Sequence, residues 1–435
     1  MNNTQSKQLQ DKAVKLIPGM TQLLSKRPDR YSRGVWPTYF KEAKGIEVVD
    51  LDGNSYLDFS IGGIGATVLG YADPDVNKAV INVINKGSAT TLNPPEEVLL
   101  AEKLIELHPW AEMTRFARGG GEAMSIAIRI ARVATGKEKV VFCGYHGWCD
   151  WYLAANLGKK GALDDQWIPG LNPNGVPKGL TGTAIPFYYN NIESFNKAIN
   201  EAGDDLSAVV MEPIRNYEPT TAFLKAVHDI VSLKEVPLII DEVSAGFRIC
   251  NGGAHLKLGI NPDIAVFSKA LGNGFPISAV IGKKWVMKAA QDAFITSTNW
   301  TERVGNVAAL AVIEKFVKYN VSEHLVRISD LVWKGWAEIA KKYGLKIRIG
   351  GFKPMIHFSF EDNHFIKIAY FTQEMLKLGF LAGGGFYSMY AHKDDQVKLY
   401  LEAVDTIFKK IANLGAEINK ELEGLPAQAG FGRIN

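Results

Sequence analysis

The chain has 435 residues, more than one ordinary domain holds, so its length predicts a large domain with a smaller companion. A hydrophobic fraction of 47%, a charged fraction of 22% and 42 glycines exclude a disordered or fibrous protein and indicate a globular one with many tight turns. The 49 basic and 46 acidic residues leave a net charge of +3 and form no long run of either sign, which argues against nucleic-acid and anionic-membrane partners.

The amino-terminal residues, the lengths of the apolar runs and the cysteines indicate where the protein is located. Residues 1–19 are polar with helical spacing and lack the apolar stretch of a signal peptide. No apolar run approaches the ~20 residues of a membrane span. The three cysteines (Cys143, Cys149 and Cys250) form no CxxC pair and suit reduced thiols. We therefore expect a cytoplasmic protein without membrane contact.

In chain order, the first elements are a hairpin and a helix. Residues 46–59 alternate apolar and polar on either side of Asp52 and Gly53, which predicts a hairpin. A helical pattern starts at Asp73 and ends near Gly87. From there to about residue 320, short apolar strands alternate with helices. The strand candidates are 114–117, 139–142, 208–211, 237–240, 264–267 and 279–281. Their nearly continuous apolar runs predict an α/β fold with a mostly parallel central sheet.

The remainder of the chain predicts a smaller α+β domain. Helical patterns cover 307–317, 328–341 and 397–418, and strand candidates lie at 346–349 and 355–360. We expect the carboxyl-terminal region to pack with the amino-terminal hairpin. The predicted division is 1–60 (contributing to the small domain), 61–320 (large domain) and 321–435 (small domain). Residues 153–186, rich in Gly, Pro and Asn, predict one long mobile loop.

Polar residues follow the predicted strands at the edge where parallel sheets bind ligands. Lys269 comes directly after an apolar strand and before a glycine turn. Burial there would lower the pKa of its amine, as a Schiff-base nucleophile requires. A surface lysine at a strand end is the alternative interpretation.

Asp241 ends another predicted strand, so its carboxylate would face the same crevice. A buried carboxylate beside a pyridine nitrogen keeps that nitrogen protonated, and Val243 could pack on a ring face. The alternative role for Asp241 is a helix cap.

A run of glycines, Gly119, Gly120 and Gly121, separates a third strand from a helical run at 123–134. Free backbone N–H groups at a helix start form an anion site suited to a phosphate. An ordinary tight turn is the alternative.

Three more residues follow strands. Tyr145 could stack on a planar cofactor. His146 could serve the chemistry or satisfy a local hydrogen bond, and we favour the second interpretation. Glu212 is either a further carboxylate of the crevice or an exposed turn residue. Cys143, His146 and Cys149 offer three ligands where tetrahedral zinc needs four, so no metal is expected.

Eight stretches in order along the chain resemble the class III, fold-type I pyridoxal-phosphate aminotransferases, and within them the glutamate-1-semialdehyde 2,1-aminomutase group. These stretches are 51–58, 115–123, 144–147, 175–178, 211–213, 240–243, 246–248 and 268–272. The ordered set is far more specific than any single motif. The resemblance implies a fold-type I enzyme with pyridoxal 5′-phosphate as its cofactor.

The resemblance also implies a role for each site residue. Lys269 is the lysine that carries the cofactor as a Schiff base, and Asp241 pairs with the pyridinium. Val243 and Tyr145 contact the ring, while Gly120 and Gly121 donate to the phosphate. The family is homodimeric with active sites at the subunit interface, where a threonine from the partner reaches the phosphate. The candidate here is Thr298, with Thr301 as the alternative.

Two departures bear on the substrate. The family's serine-glycine-threonine phosphate turn is Gly119–Gly121 here, so hydroxyl contacts are lost and backbone ones remain. The aminomutases carry an amino-terminal arginine for the substrate carboxylate, and residues 19–27 have none at the aligned place. The aromatic side chains suit a bulkier carbonyl compound such as a keto-sugar derivative; these are Trp36, Trp300, Tyr387 and Tyr390.

The resulting prediction is a ping-pong aminotransferase that moves an amino group between a small-molecule donor, glutamate, and a carbonyl acceptor. Its alternative is the intramolecular aminomutase, which retains its intermediate behind a closed loop. A catalytically silent protein on this fold and a nicotinamide dehydrogenase are remote, since Gly62–Ala66 does not complete GxGxxG. The identity of donor and acceptor, the stereochemistry and any assembly beyond a dimer stay open.

Overall fold

The computed structural model describes residues 4–428 and 430–431. The strands are β1 Phe40–Lys44, β2 Glu47–Asp50, β3 Ser55–Asp58, β4 Met113–Ala117, β5 Lys139–Cys143, β6 Ala184–Pro186, β7 Leu206–Met211, β8 Leu238–Asp241, β9 Ile264–Phe267, β10 Ser278–Gly282, β11 Ile347–Phe352, β12 Met355–Phe360, β13 Phe380–Leu381 and β14 Gly385–Tyr387. The α-helices are α1 Thr4–Leu16, α2 Gly62–Gly65, α3 Pro74–Ile84, α4 Pro95–Leu107, α5 Gly120–Thr135, α6 Asp150–Leu153, α7 Ala155–Gly158, α8 Ile192–Ala202, α9 Thr221–Lys234, α10 Ala254–Leu258, α11 Lys284–Met287, α12 Val304–Tyr319, α13 Val321–Lys342, α14 His364–Lys377 and α15 Asp394–Leu414. Short 3₁₀ helices cover Leu24–Lys26, Pro28–Arg30, Lys178–Leu180, Gly203–Asp205, Lys269–Gly272, Lys288–Asp292, Thr298–Thr301 and Gly415–Glu421.

The described residues form two compact units. The first contains the residues up to Asp73 together with those from Glu323 onward, and the second is Pro74–Ser322. The sequence-based domain division at 60/61 and 320/321 stays a prediction. No helix of the described residues is both long and apolar enough to cross a membrane.

The second unit is built on a seven-stranded sheet in the order β4-β10-β9-β8-β7-β5-β6. The strand β10 runs antiparallel to both its neighbours, and the pairs from β9 through β6 are all parallel. The mostly parallel α/β sheet is therefore confirmed. Predicted strand 264–267 coincides with β9, and the other five differ from β4, β5, β7, β8 and β10 by one or two residues at their ends.

Both faces of this sheet are covered by helices, which explains the continuous apolar runs of its strands. Val140 and Phe142 of β5 pack with buried residues of α5. The residue between them, Val141, belongs to the core that contains Phe195 of α8 and Phe223 of α9. Side chains alternate between the two faces of a strand, so when both faces are buried nearly every position of the strand is apolar.

The first unit has a four-stranded sheet in the order β1-β2-β3-β13 and a three-stranded sheet in the order β11-β12-β14. The hairpin predicted at 46–59 is confirmed as β2 and β3. Its turn is held by Asp50 Oδ1, which accepts the N–H groups of Asp52 and Asn54 at 2.9 Å, and Gly53 has a φ of +87°. The parallel pairing of β13 with β3 joins the two ends of the chain in one sheet.

The long loop predicted at 153–186 is present only in part, because residues 159–177 contain no helix or strand but both ends of the stretch are regular. This stretch contains α7, a 3₁₀ helix at Lys178–Leu180 and the edge strand β6. The Asn156 side chain accepts the Leu163 N–H at 3.0 Å and donates to the Leu171 carbonyl at 2.7 Å. Leu163 is fully buried. The hydrogen bonds of Asn156 and the burial of Leu163 thus fix a segment whose composition predicts a loop.

Candidate active site

The predicted site residues of the second unit follow adjacent parallel strands. Strands β5, β7, β8 and β9 are neighbours in that order. Their last residues are in register, since Cys143 pairs with Met211 and Asp241 with Val266. The carboxyl ends of these strands therefore lie along one edge of the sheet, where parallel α/β sheets bind their ligands.

Lys269 begins the 3₁₀ helix that follows β9 and lies in the left-handed region, with a φ of +45°. Non-glycine residues rarely adopt that conformation, and those that do cluster at functional sites. Its Nζ donates to Ser244 Oγ at 2.6 Å. Burial lowers the pKa of Lys269 to about 8, and the positive charge of Arg248 acts in the same direction. About a tenth of this amine is therefore uncharged at pH 7, far more than of an ordinary lysine with a pKa of about 10.4, and the uncharged form is the nucleophile.

This pKa gives a direct expectation for the reactivity of the amine. In the protein without added ligand, reductive methylation of Lys269 by formaldehyde should reach half its maximal rate near pH 8. Exposed lysines should still gain reactivity up to about pH 10.4. Mass spectrometry of the modified peptides at a series of pH values measures both. A profile for Lys269 that coincides with the exposed lysines would show that its amine is not desolvated.

Asp241, the last residue of β8, is held by a buried histidine. Its Oδ2 lies 2.7 Å from His146 Nδ1, and its Oδ1 accepts the Val243 N–H at 3.0 Å. His146 Nε2 donates to the Cys143 carbonyl at 3.0 Å, so the local hydrogen bond predicted for His146 is present. The same ring also fixes the Asp241 carboxylate. No α-helix starts at Asp241, because the next one is α10.

The glycine turn leads into α5. Gly119 is the residue before the helix, and Gly120 and Gly121 lie in its first turn. N–H groups of a first turn have no acceptor within their own helix and point outward from its positive end. A Cβ at Gly120 would lie 2.8 Å from Val243 Cγ1. Only a bare backbone fits at this point between α5 and the strand-end residues.

The carboxylate of Glu122 stabilises the glycine turn from behind. It accepts the N–H groups of Arg118 at 2.9 Å and of Gly119 at 3.3 Å. Among the residues that the structure describes, the N–H groups of Gly120 and Gly121 have no hydrogen-bond acceptor, so they are available to a ligand. The turn is thus compatible with an anion at the helix start.

Glu212 follows β7 and is only 7% exposed, so the alternative of an exposed turn residue is wrong. Its Oε2 accepts the Tyr145 N–H at 3.2 Å and pairs with Nη1 of Arg215. Burial raises the pKa of Glu212, while the charge of Arg215 opposes that shift. Tyr145 itself is half-buried, and burial also raises the pKa of its hydroxyl.

Two residues of this site were missed by sequence reasoning. Ser244 is the hydrogen-bond partner of Lys269, and Arg215 is the ion-pair partner of Glu212. A signal existed for Arg215, since it lies three residues after a strand-end carboxylate. Nothing in the sequence alone marked Ser244, because its role depends on the position of another strand.

Thr298 and Thr301 lie at the two ends of one exposed 3₁₀ helix. Thr301 Oγ1 donates to the Thr298 carbonyl at 2.8 Å. Arg118, next to the glycine turn, donates to the carbonyl groups of Trp300 at 2.9 Å and Glu302 at 2.6 Å. The threonine segment is therefore anchored to the residue that precedes the glycines, with both threonines facing outward.

The remaining predicted residues are distributed between the two units. Trp300 belongs to the second unit. In the first unit, Trp36 stacks on Tyr31 at a ring distance of 3.9 Å, and Tyr390 makes an edge contact with His324 at 5.1 Å. Tyr387 lies in β14. Within residues 4–428 and 430–431, no group of three or more His, Cys, Asp or Glu side chains converges as metal ligands.

The comparisons with known proteins agree with this geometry. A family model described as "Aminotransferase class-III" matches residues 30–408. The 3-aminobutyryl-CoA aminotransferase of Cloacimonas acidaminovorans is 31% identical over 92% of this chain and 95% of its own length. The glutamate-1-semialdehyde 2,1-aminomutase of Methanocaldococcus jannaschii is 30% identical over 93% and 98%. An omega-transaminase structure from Sphaerobacter thermophilus superposes with a TM-score of 0.82 and 25% identity, covering 94% of this chain and 98% of that one.

Proposed function

The chain belongs to the class-III aminotransferases, which are pyridoxal-phosphate enzymes of fold type I, and from this premise we propose which amino transfer it performs and how. The donor is L-glutamate and the acceptor is a carbonyl compound, such as a keto-sugar derivative or another aldehyde or ketone. One observation carries the proposal: Lys269 follows β9, and Asp241 ends the neighbouring parallel strand β8. An amine with a pKa of about 8 and a fixed carboxylate at adjacent strand ends suit carbonyl chemistry.

The residues present fit pyridoxal phosphate. The amine of Lys269 would hold its aldehyde carbon, and Asp241 would face its pyridine nitrogen. Gly120 and Gly121 would donate to its phosphate at the start of α5, where a Cβ at Gly120 would meet Val243 at 2.8 Å. Val243 and Tyr145 would contact the ring. The donor set therefore matches the aldehyde, ring nitrogen and phosphate of the cofactor.

When bound, the cofactor supplies an electron-withdrawing ring that makes the bond between the substrate α carbon and its proton labile. The protein moves that proton. Nζ of Lys269 would be freed from the cofactor aldehyde when the amino group of the donor takes its place there. Because burial lowers its pKa to about 8, the freed amine could then take the proton from the α carbon and deliver it to the aldehyde carbon of the cofactor. Ser244 Oγ, 2.6 Å from Nζ, orients the amine. His146 holds the Asp241 carboxylate in one position throughout.

The proposal also covers the oligomeric state and the cellular location of the protein. We propose a homodimer in the cytoplasm, in which Thr298 of one copy reaches the phosphate site of the other. Support comes from the exposed threonine segment and its anchorage to Arg118. The cysteines, none of them in a disulfide, suit a reducing compartment.

An absorbance spectrum tests the proposed function. The purified protein reconstituted with pyridoxal phosphate should show a band near ~420 nm that borohydride removes. Adding L-glutamate without an acceptor should convert this band to one near ~330 nm and release one equivalent of 2-oxoglutarate per active site, measured by an oxo-acid assay. A protein that cannot be reconstituted would contradict the proposal. A stable ~420 nm band with glutamate would change only the donor.

The aminomutase remains a second candidate, because the archaeal aminomutase is 30% identical over nearly its whole length. That reaction is intramolecular and releases no oxo acid. Incubation with glutamate 1-semialdehyde distinguishes the two. Stoichiometric conversion to 5-aminolevulinate without any added donor would establish the mutase, whereas no conversion together with 2-oxoglutarate release from glutamate would establish the transaminase.

A further inference from the structure

Arg215 is fixed in the candidate site by two contacts that come from different parts of the chain. Its Nη1 pairs with Oε2 of Glu212, which lies three residues earlier. Its Cζ lies 4.3 Å from the centre of the Trp167 ring. A guanidinium held by a carboxylate at one end and an aromatic face on one side keeps a defined plane.

The donors of this guanidinium are not all used. Nε of Arg215 is buried and has no hydrogen-bond partner among residues 4–428 and 430–431. Buried side-chain donors are nearly always paired in folded proteins, so an unpaired one calls for an explanation. An acceptor that arrives with a ligand would supply the missing partner.

Arg215 also lies close to the reacting groups. Glu212, its ion-pair partner, accepts the Tyr145 N–H at 3.2 Å. The positive charge of Arg215 contributes to the lowered pKa of Lys269 and opposes the raised pKa of Tyr145. The guanidinium is therefore within electrostatic range of the amine that would accept the substrate proton.

Three other arginines, near the site or in the amino-terminal segment, already have protein partners. Arg27 donates to both carboxylate oxygens of Asp29, at 3.1 and 2.6 Å, in a buried pair. Arg118 donates to two carbonyl groups at 300 and 302. Arg248 is 1% exposed and donates to the Ser244 carbonyl. Arg215 differs from these three in that its buried Nε has neither a hydrogen bond nor an ion pair within residues 4–428 and 430–431.

We infer that Arg215 binds the carboxylate of the amino donor, and that Glu212 and Trp167 hold its guanidinium in place for that contact. This inference rests on the proposed function and specifies the substrate class of the donor half-reaction: amino acids rather than carboxylate-free amines. The planar fork of arginine matches a carboxylate with two parallel hydrogen bonds. Nη1 stays paired with Glu212, and the unpaired Nε is the donor that remains for the substrate carboxylate.

The test compares the wild-type holoenzyme with Arg215→Gln and Arg215→Lys, using a reaction and a binding measurement. The rate of loss of the ~420 nm band is followed with L-glutamate, L-alanine and L-aspartate, and separately with isopropylamine, which has no carboxylate. Calorimetry measures the affinity for glutarate, a dicarboxylate that cannot react. We expect R215Q to lower the amino-acid rates and the glutarate affinity by about 10- to 100-fold. The isopropylamine rate should change far less, because only the contribution of the Arg215 charge to the Lys269 pKa is lost. R215K should lose less, because it keeps the charge but not the fork.

Arg129→Gln is the matched control, since Arg129 is an exposed arginine of α5 in the same unit. It should leave both measurements unchanged. Equal glutarate affinity and equal amino-acid rates in wild type and R215Q would overturn the inference while the proposed function stands. A wild-type holoenzyme that reacts only with isopropylamine would overturn it as well. If R215Q does not fold, wild-type behaviour of R215K decides against it. A wild-type protein without the ~420 nm band would instead overturn the proposed function.

Discussion

Replacing Lys269 with alanine is expected to lower turnover by about 10⁴-fold or more, the upper end of what one positioned acid–base group contributes. The variant loses the amine that would hold the cofactor aldehyde and move the substrate proton. Ser244 Oγ, which lies 2.6 Å from Nζ in the wild type, is not a basic group and cannot replace the amine. Turnover is measured as oxo-acid release from glutamate, and the ~420 nm band should be absent.

The stability of the same variant separates lost chemistry from lost folding. The folded-state pKa of Lys269, about 8, lies below its ordinary value, so a protonated amine is unfavourable in the folded protein. This cost is fully present below about pH 8 and is relieved as the pH rises toward about 10.4. Without cofactor, K269A should therefore unfold at a higher temperature than the wild type below pH 8, and the difference should narrow at higher pH.

Lys257→Ala is the matched control, because Lys257 is an exposed lysine of α10 in the same unit. It should keep wild-type turnover and show no pH-dependent gain in stability. Wild-type turnover by a folded K269A protein would remove Lys269 from the reaction. Low turnover by K269A with a collapsed melting transition would instead indicate a structural role.

Replacing Asp241 with asparagine is expected to lower kcat by about 10² to 10⁴-fold, with a smaller change in KM. The amide carries no charge, so it cannot favour a protonated pyridine nitrogen. The backbone contact from Val243 N–H to the retained oxygen can persist, whereas the other amide position would face His146 Nδ1 at 2.7 Å. Steady-state kinetics and cofactor retention after dialysis measure the two consequences.

Two further variants serve as controls for D241N. Asp241→Glu keeps the charge but moves it, so it should recover part of the activity. Asp229→Asn, at an exposed position of α9, makes the same chemical change far from the strand ends and should leave kcat unchanged. If D241N keeps more than about a tenth of the wild-type kcat, the carboxylate does not act on the reacting groups.

The sequence by itself placed the strands and the main chemical groups of the second unit. Apolar runs located β9 to the residue and the other five predicted strands to within one or two residues. Lys269 and Asp241 could be predicted because each directly follows such a run, and parallel sheets collect ligands at that edge. The hairpin at 46–59 followed from alternation around Gly53. Local periodicity was sufficient in each case.

The edge strand β6 and the helix α7 could not be predicted from the same signals. They lie in a stretch rich in Gly, Pro and Asn, where composition indicates a loop. Side-chain hydrogen bonds to the backbone help to order this stretch: Asn156 binds Leu163 and Leu171, and Gln166 binds Gly144 and Phe187. Hydrogen bonds from side chains to distant backbone leave no periodic pattern in the sequence.

The partners of the site residues were decided by the tertiary structure alone. Ser244 and Lys269 are 25 residues apart, and His146 and Asp241 are 95 apart. These pairs meet because β5, β7, β8 and β9 are adjacent and in register. Arg215 is positioned by Glu212 on its own segment and by Trp167 from the residues between β5 and β6. Amino-acid patterns report the burial of each segment, whereas the order of strands in the sheet determines which strand ends, and therefore which side chains, come together.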